Sequence, residues 1–189
     1  PLRTLEVNYG GTENLLSCLK DRPGVELIVG LSTSEIYGPE ARDVREDGKT
    51  SQGSIWDRRW VYGISKLAAE KLAYAYLWEH GLPICWIRPF NVYGPGQVGE
   101  GAISKFVFRA LQGLPLQVTG DGQHVRAFCY IDDFCEAIDA CLARPGAARG
   151  QSFNIGDPRE PVTMLDLARR VVALTHSRSE IVFVPHAGE

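Results

Sequence analysis

No stretch of this chain is apolar over anything near the roughly 20 residues that a membrane span needs, so no membrane-crossing role is expected. No CxxC pair occurs. The five cysteines, Cys18, Cys85, Cys129, Cys135 and Cys141, are an odd number, and most stand in apolar segments where a free thiol behaves as a small hydrophobe. This usage points to a reducing, intracellular setting, here the cytoplasm, and to no metal site. Charge of one sign is also lacking. A formal net charge of −3 removes any bulk electrostatic case for nucleic acid or an anionic membrane as partner. Lysine is scarce, five against 15 arginines. Arginine suits bidentate contacts to phosphate and carboxylate, although a GC-rich genome produces the same bias. No signal peptide is visible, and the opening "PLRTLEVNYGG" has no Met, so part of the natural N-terminus is expected to be missing.

What is present is a soluble globular composition, 44% hydrophobic and 23% charged over 189 residues, enough for one good core. Leu5 to Lys20 reads as a helix, "VELIVGLST" as a buried strand, and "PEARDVREDGKTSQGS" as a polar loop. Tyr62 to about His80 reads as a second helix, "LPICWIRPF" as a second buried strand, and "NVYGPGQVGEG" as a turn-rich loop. Helical spacing recurs at Ile103, Phe106, Val107, Ala110 and Leu111, and again at Phe134, Ala137, Ile138, Cys141 and Leu142. "QSFNIG" is a short strand, "TMLDLARRVVAL" a helix with Thr163 and Asp166 at N-cap and N3, and "EIVFV" a last strand. Strands alternating with helices imply βαβ units and a largely parallel sheet. In such sheets the ligand crevice lies at the carboxyl ends of the strands, where "STSEIYG", "NVYGPG" and "GDPRE" emerge.

One motif is absent. No GxGxxG follows an opening strand, so a dinucleotide-binding domain, if this is one, lacks its first half here. Another pattern stands out inside "RRWVYGISKLAAEK", where Tyr62 and Lys66 are four residues apart and therefore neighbours on a helix surface. A tyrosine of ordinary pKa, about 10, is a poor base at neutral pH. An ammonium one turn away favours its phenolate. On spacing alone an ordinary surface contact between the two is the better reading.

"NYGGTENLL", "STSEIYG", "YGISK", "RPFNVYGPG", "GDGQHVRAFCYIDD" and "FNIGDP" occur in that order across nearly the whole chain. Together they resemble the extended short-chain dehydrogenase/reductases that act on nucleotide sugars, the NAD-dependent epimerases, dehydratases and decarboxylases. The resemblance implies a Rossmann-like, doubly wound α/β fold with a smaller C-terminal substrate lobe, of which this chain lacks the glycine-rich βαβ start. It implies a division into 1–94 (second half of the NAD-binding domain), 95–131 (substrate lobe), 132–157 (return to the NAD-binding domain) and 158–189 (substrate lobe, incomplete). It implies NAD as cofactor, a nucleotide-sugar substrate, and a homodimer through the helices at about 5–20 and 63–80.

On that resemblance Tyr62 is the base, Lys66 its tuner, and both contact the cofactor, with Ser32 beside them. Thr33, four residues before Tyr37, would hydrogen-bond the reacting hydroxyl; Ser32 and Ser34 are the better candidates for capping the strand end. Glu35, two residues on and on the same face if the strand continues, would move a proton at sugar C5, or simply pair with an arginine. Asn91 and Arg126 resemble contacts to the nucleotide diphosphate, an amide and a guanidinium fork suited to pyrophosphate. "STSE" resembles both UDP-glucuronate decarboxylases and GDP-mannose 4,6-dehydratases; the Arg-Trp before the tyrosine and "ALQGLPLQVTGDGQHVRAF" resemble the decarboxylases, although Gly96 and Gln97 stand where those enzymes carry an arginine after "YGP". The rival readings are a 4,6-dehydratase, a 4-epimerase, and a non-catalytic nucleotide-sensing module on the same fold.

Overall fold

The computed structural model describes residues 1–39, 41–99 and 101–185. Glu40 and Glu100, in the two expected loops, and 186–189, at the end of the last expected segment, lie outside the described residues. The chain divides into two compact units, one built from 1–90 and 134–155 and the other from 91–133 and 156–189. Four successive segments therefore alternate between the two units.

The first unit is a three-stranded parallel sheet of β1 (Ile28–Leu31), β2 (Ile84–Pro89) and β7 (Ser152–Ile155), in the order β1-β2-β7. Ile28 lies opposite Ile84, and Trp86 opposite Ser152. The central strand β2 is buried along nearly its whole length, as its apolar run requires. The "VELIVGLST" segment differs from expectation. Only Ile28–Leu31 is strand, half-buried, with Leu31 45% exposed. The physical reason is that β1 pairs with β2 on one side only in this sheet.

The expected first helix is also different in detail. Helical residues begin at Leu2: α1 (Leu2–Leu5), a π-turn over Glu6–Gly10, and α2 (Gly11–Leu19) follow one another directly. A π-turn admits one extra residue into a helix, and here it carries Asn8. Helix α3 (Val61–His80) matches the expected span and ends at Gly81, whose φ of +68° and N–H to the Leu77 carbonyl make a left-handed C-terminal cap. Leu16 of α2, Ala69 and Ala73 of α3, and Leu82, Ile84 and Trp86 form the core between these helices and the sheet. Helix α5 (Ile131–Ala143) and the short α6 (Pro145–Ala148) lead into β7.

In the second unit β4 (Leu116–Thr119) runs parallel to β9 (Ile181–Val184), with Leu116 opposite Ile181. Leu116 and Val118 point into the core and the residues between them face out, a clean period of two. Helices α4 (Ala102–Leu111) and α7 (Met164–Leu174) cover this pair through Phe106, Ala110, Leu167, Ala168 and Val171. Two-residue pairings complete the unit: β3 (Val92–Tyr93) with β6 (Cys129–Tyr130), and β5 (Val125–Arg126) with β8 (Val162–Thr163). Thr163 caps α7, its hydroxyl accepting from the Asp166 N–H at 3.0 Å and meeting the Asp166 carboxylate at 2.9 Å. Among the described residues no helix is long and apolar enough to cross a membrane, and no group of three or more His, Cys, Asp or Glu side chains is placed to hold a metal.

Candidate active site

The site grows from the carboxyl end of β1. After Leu31 the chain leaves the strand, is extended at Thr33, and then closes into a 3₁₀ turn over Ser34–Tyr37. Thr33 caps that turn, its Oγ1 accepting from the Glu35 N–H at 3.2 Å. The role of strand-end cap thus falls to Thr33 itself rather than to Ser32 or Ser34. Capping uses a lone pair and leaves the hydroxyl hydrogen free to be donated, so it orients the group without consuming it.

The turn corrects the argument by which Glu35 shared a strand face with Thr33, because no strand continues past Leu31. Glu35 is exposed, and its carboxylate still reaches the field of Tyr62. Burial pushes the Tyr62 phenol above its ordinary pKa, the Glu35 carboxylate adds to that rise, and the Thr33 hydroxyl pulls it down as a hydrogen-bond partner. Thr33, Glu35 and Tyr62 therefore act on one another, although they come from a turn and a helix some 30 residues apart in sequence.

Lys66 is half-buried one turn along α3 and donates from Nζ to the Leu31 carbonyl at 2.9 Å. Burial lowers its pKa. The ammonium is not among the groups that move Tyr62. In this structure the last carbonyl of β1 holds the lysine. Ser32 is 2% exposed and its Oγ has no hydrogen-bond partner among the described residues. It is enclosed, whereas Tyr62 and Lys66 present a phenol and an ammonium at the surface of the helix.

Asn91 and Arg126 belong to the second unit. They are close there, because Asn91 Nδ2 donates to the Ala127 carbonyl at 2.8 Å, next to Arg126. Asn91 takes a left-handed backbone, φ +42°, at the turn after β2. The Arg126 guanidinium is exposed, with one hydrogen bond to the Val125 carbonyl at 3.3 Å and no carboxylate partner among the described residues.

A set of residues missed from the sequence supports this site from within the first unit. Arg88, in the buried strand β2, is 6% exposed and Glu70 of α3 is 2% exposed. Arg88 Nη2 meets Glu70 Oε2 at 2.7 Å and Nε meets Oε1 at 3.1 Å. Arg88 Nη1 also donates to Tyr37 Oη at 2.7 Å and to the Glu46 carbonyl at 2.9 Å. Burial alone would lower the pKa of Arg88, but Glu70 and Tyr37 outweigh it and the net shift is upward. The signal was available: an arginine inside "ICWIRP" and a glutamate inside "LAAEKLA" are charges in apolar runs, and buried charges come paired. A second missed link is Asn8, whose Nδ2 donates to Ser65 Oγ at 2.9 Å; Ser65 in turn donates to the Tyr62 carbonyl at 2.7 Å. Gly63 is the third. A Cβ there would stand 2.9 Å from Gln52 Oε1 and 3.3 Å from the Glu35 carbonyl, so the turn bearing Glu35 approaches α3 closely because residue 63 has no side chain.

Chemically, a phenol, a threonine hydroxyl and a carboxylate brought together at a parallel strand end can position a hydroxyl and move its proton. Tyr62 and Lys66, one turn apart, are hydrogen-bonding groups of the kind that ribose hydroxyls require, so the residues present fit a nicotinamide nucleotide.

Comparison with known proteins places this geometry. Residues 1–156 match the NAD dependent epimerase/dehydratase family. A UDP-N-acetyl-alpha-D-glucosaminuronate decarboxylase of Bacillus cytotoxicus is 37% identical over 97% of this chain and 56% of its own length. UDP-glucuronic acid decarboxylase 1 of Danio rerio is 35% identical over 99% of this chain and 44% of its own. The chain thus spans about half the length of these curated relatives. Among solved structures, a UDP-glucuronic acid 4-epimerase from Bacillus cereus in complex with NAD superposes with a TM-score of 0.85 at 30% identity, over 94% of this chain and 56% of that one. A dTDP-glucose 4,6-dehydratase from Bacillus anthracis, also in complex with NAD, gives 0.85 at 30% identity, over 98% and 57%. The parallel sheet is accordingly Rossmann-like, and the chain belongs to the NAD dependent epimerase/dehydratase family.

Proposed function

We propose that the full-length protein is an NAD-dependent enzyme that oxidises C4 of a nucleotide-linked hexuronate, UDP-glucuronate in the first instance, and then releases its carboxyl group as CO2. The observation that carries the chemistry is the convergence of Thr33, Glu35 and Tyr62 at the end of β1. The choice of decarboxylation is supported by two relatives named as nucleotide-hexuronate decarboxylases, each aligned over nearly the whole chain.

Tyr62 would take the proton from the C4 hydroxyl, whose oxygen Thr33 would hold by turning its own hydroxyl hydrogen from the phenol to it. Burial and Glu35 hold the phenol above its ordinary pKa, so its ionisation before the step would depend on the positive charge of an oxidised nicotinamide ring, since the anionic substrate brings none. Lys66 and Tyr62 would hold the cofactor by its ribose hydroxyls. The nicotinamide, when bound, accepts a hydride from C4 and can return it. With C4 a ketone, the C5–C6 bond breaks, its electron pair moves toward the C4 oxygen as an enolate, and CO2 leaves. Glu35, exposed beside Tyr62, would then return a proton to C5. Asn91 and Arg126 would bind the diphosphate. The enzyme would act as a homodimer through the helices at 2–19 and 61–80, whose Leu2, Val7, Leu15 and Trp78 are exposed in the single chain.

A second reading, 4,6-dehydration, is favoured by the same Glu35, which would remove the C5 proton while water leaves C6. It is supported by the likeness to the dTDP-glucose dehydratase. The deciding experiment is mass analysis of products after incubating full-length protein with NAD and UDP-glucuronate, UDP-glucose, dTDP-glucose or GDP-mannose. Loss of CO2 from UDP-glucuronate is the expected result. Loss of water from a neutral hexose nucleotide, with UDP-glucuronate intact, would replace decarboxylase by dehydratase.

A further inference from the structure

Arg88 does more than neutralise one carboxylate. Its guanidinium joins three segments of the first unit. Through Glu70 it holds α3, two turns beyond Tyr62 and one beyond Lys66. Through Tyr37 it holds the turn that begins at Thr33 and Glu35. Through the Glu46 carbonyl it holds the 39–57 loop that connects that turn to α3. The loop has a second tie. Glu46 Oε1 accepts from the Asn154 N–H of β7 at 3.0 Å, and Asn154 Oδ1 accepts from Tyr37 Oη at 2.8 Å. Glu46 is thus bonded by its main chain to Arg88 and by its side chain to Asn154, while Tyr37 touches both of those residues. The rest of the loop around it is solvated, with Arg45 and Asp47 in an exposed ion pair at 3.4 Å and 82% side-chain exposure each. Glu46 is itself exposed, yet its side chain is bonded to Asn154 where its neighbours pair with each other in solvent, and that bond is a latch.

Resting on the reading of Tyr62 as the base, we infer that Glu46 is a positioning residue: latched on Asn154, it completes the Arg88 clamp that fixes Tyr62 of α3 against Thr33 and Glu35 of the turn. The clamp works because Arg88, Glu70 and Tyr37 are buried and share bonds, so neither α3 nor the turn can shift without breaking charge-assisted hydrogen bonds at Arg88. Helix and turn are otherwise in contact chiefly where Gly63 lets the Glu35 carbonyl approach, with Gln52 bridging. Releasing the loop removes one acceptor from Arg88 and one partner from Asn154, and loosens the turn relative to the helix. Thr33, the one group that pulls the Tyr62 pKa down, would then lose its hold on the phenol.

The test uses the full-length enzyme, with Glu46→Ala as the main variant, Tyr37→Phe as a second, Glu46→Gln as the conservative replacement, and Asp47→Ala as the loop control. Two quantities are read. One is kcat and KM per folded site, counted by nucleotide binding. The other is the pKa of Tyr62, taken as the difference in near-ultraviolet phenolate absorbance between each protein and its Tyr62→Phe counterpart, with no turnover required. Glu46→Ala and Tyr37→Phe should lower kcat roughly 10- to 100-fold, the scale of a misplacement near 1 Å, and change KM much less. The Tyr62 titration should move upward in both. Glu46→Gln keeps an acceptor for Asn154 and should restore most of the rate, and Asp47→Ala should leave rate and titration unchanged. An unmoved titration with kcat equal to that of Asp47→Ala overturns the clamp, as does a loss that disappears once rates are expressed per folded site. If Tyr62→Phe alone keeps full turnover, the reading of Tyr62 as base fails instead, and the titration still decides whether Glu46 positions the phenol.

Discussion

Replacing Glu70 by Ala tests the most buried charge in the first unit. Glu70 and Arg88 have side-chain exposures of 2% and 8%, and their closest contact is 2.7 Å. At that separation in a medium of effective dielectric near 20, unit charges attract by several kcal/mol, on the order of 4 at 4 Å. Both groups are already desolvated in the folded protein, so removing the carboxylate recovers nothing for the arginine. An uncompensated buried charge then costs about 3–5 kcal/mol. Tyr37 Oη and the Glu46 carbonyl still accept from Arg88, which places the expectation toward the lower end of that range. For a chain of this size each kcal/mol shifts Tm by about 2–4 °C, so a fall of roughly 6–12 °C is expected in thermal unfolding followed by circular dichroism. Glu70→Gln, which keeps the volume and one acceptor, should lose less, about 1.5–3 kcal/mol for a hydrogen bond to a charged group.

The discriminating variant is the double replacement Glu70→Leu with Arg88→Met. It removes both charges and leaves two acceptors without this donor, the Glu46 carbonyl, a defect worth about 1–3 kcal/mol, and Tyr37 Oη, which keeps its bond to Asn154 and loses less. Its total should therefore be no larger than that of Glu70→Ala alone, although two buried residues have changed. A Tm for Glu70→Ala within about 2 °C of the parent, or a double variant whose loss is the full sum of the two singles, would mean that Arg88 is not held as a buried charge by Glu70. The reasoning behind the clamp would then fail with it.

Tyr62→Phe keeps the ring and removes the proton acceptor; turnover should fall by at least ~100-fold while nucleotide binding persists, and near-normal turnover would remove Tyr62 from the mechanism. Because burial and Glu35 raise the Tyr62 pKa, the base form becomes more populated as pH rises, so kcat should climb with pH across the neutral range; Glu35→Gln should shift that climb to lower pH, and an opposite shift would contradict the assignment. Gly63→Ala should change stability by no more than about 1 kcal/mol, since the helix gains what the contact loses, yet it should cut turnover by pressing on Gln52 and the Glu35 carbonyl; full activity would show that the turn can yield. Thr163→Ala should cost about 1 kcal/mol by uncapping α7, with Thr163→Ser near the parent in the same unfolding assay.

Most elements were legible because their signals are local. The apolar period of α4 and α7, the continuous run of β2 and the Thr163–Asp166 cap all lie within a dozen residues of sequence, and each element stands where its pattern placed it. The departures come from partners far along the chain. β1 has the composition of a buried strand but is flanked on one side only. Leu116–Thr119 offers just two inward residues, too short a pattern to read before its partner β9 is known. The π-turn at Glu6–Gly10 is tied to Ser65 through Asn8, a contact across 57 residues that periodicity does not encode.

The site divides along the same line. Tyr62 and Lys66 were visible as a pair because helix geometry alone sets i and i+4 side by side. Which way each points depends on β1 and the turn after it, and those contacts give Lys66 to the Leu31 carbonyl and Tyr62 to Thr33 and Glu35. Glu35 shows the consequence most directly. Read as a strand residue it lay on the face of Thr33; in a 3₁₀ turn it reaches Tyr62 by a different path, with its own N–H bonded back to Thr33. The same turn ends at Tyr37, which is buried and bonded to Arg88. Four consecutive residues thus link an exposed carboxylate beside the phenol to the deepest charge pair in the unit. A motif such as "STSEIYG" records that linkage only as a spacing, and its physical content is the short turn that leaves one end exposed beside Tyr62 while the other is locked in the core.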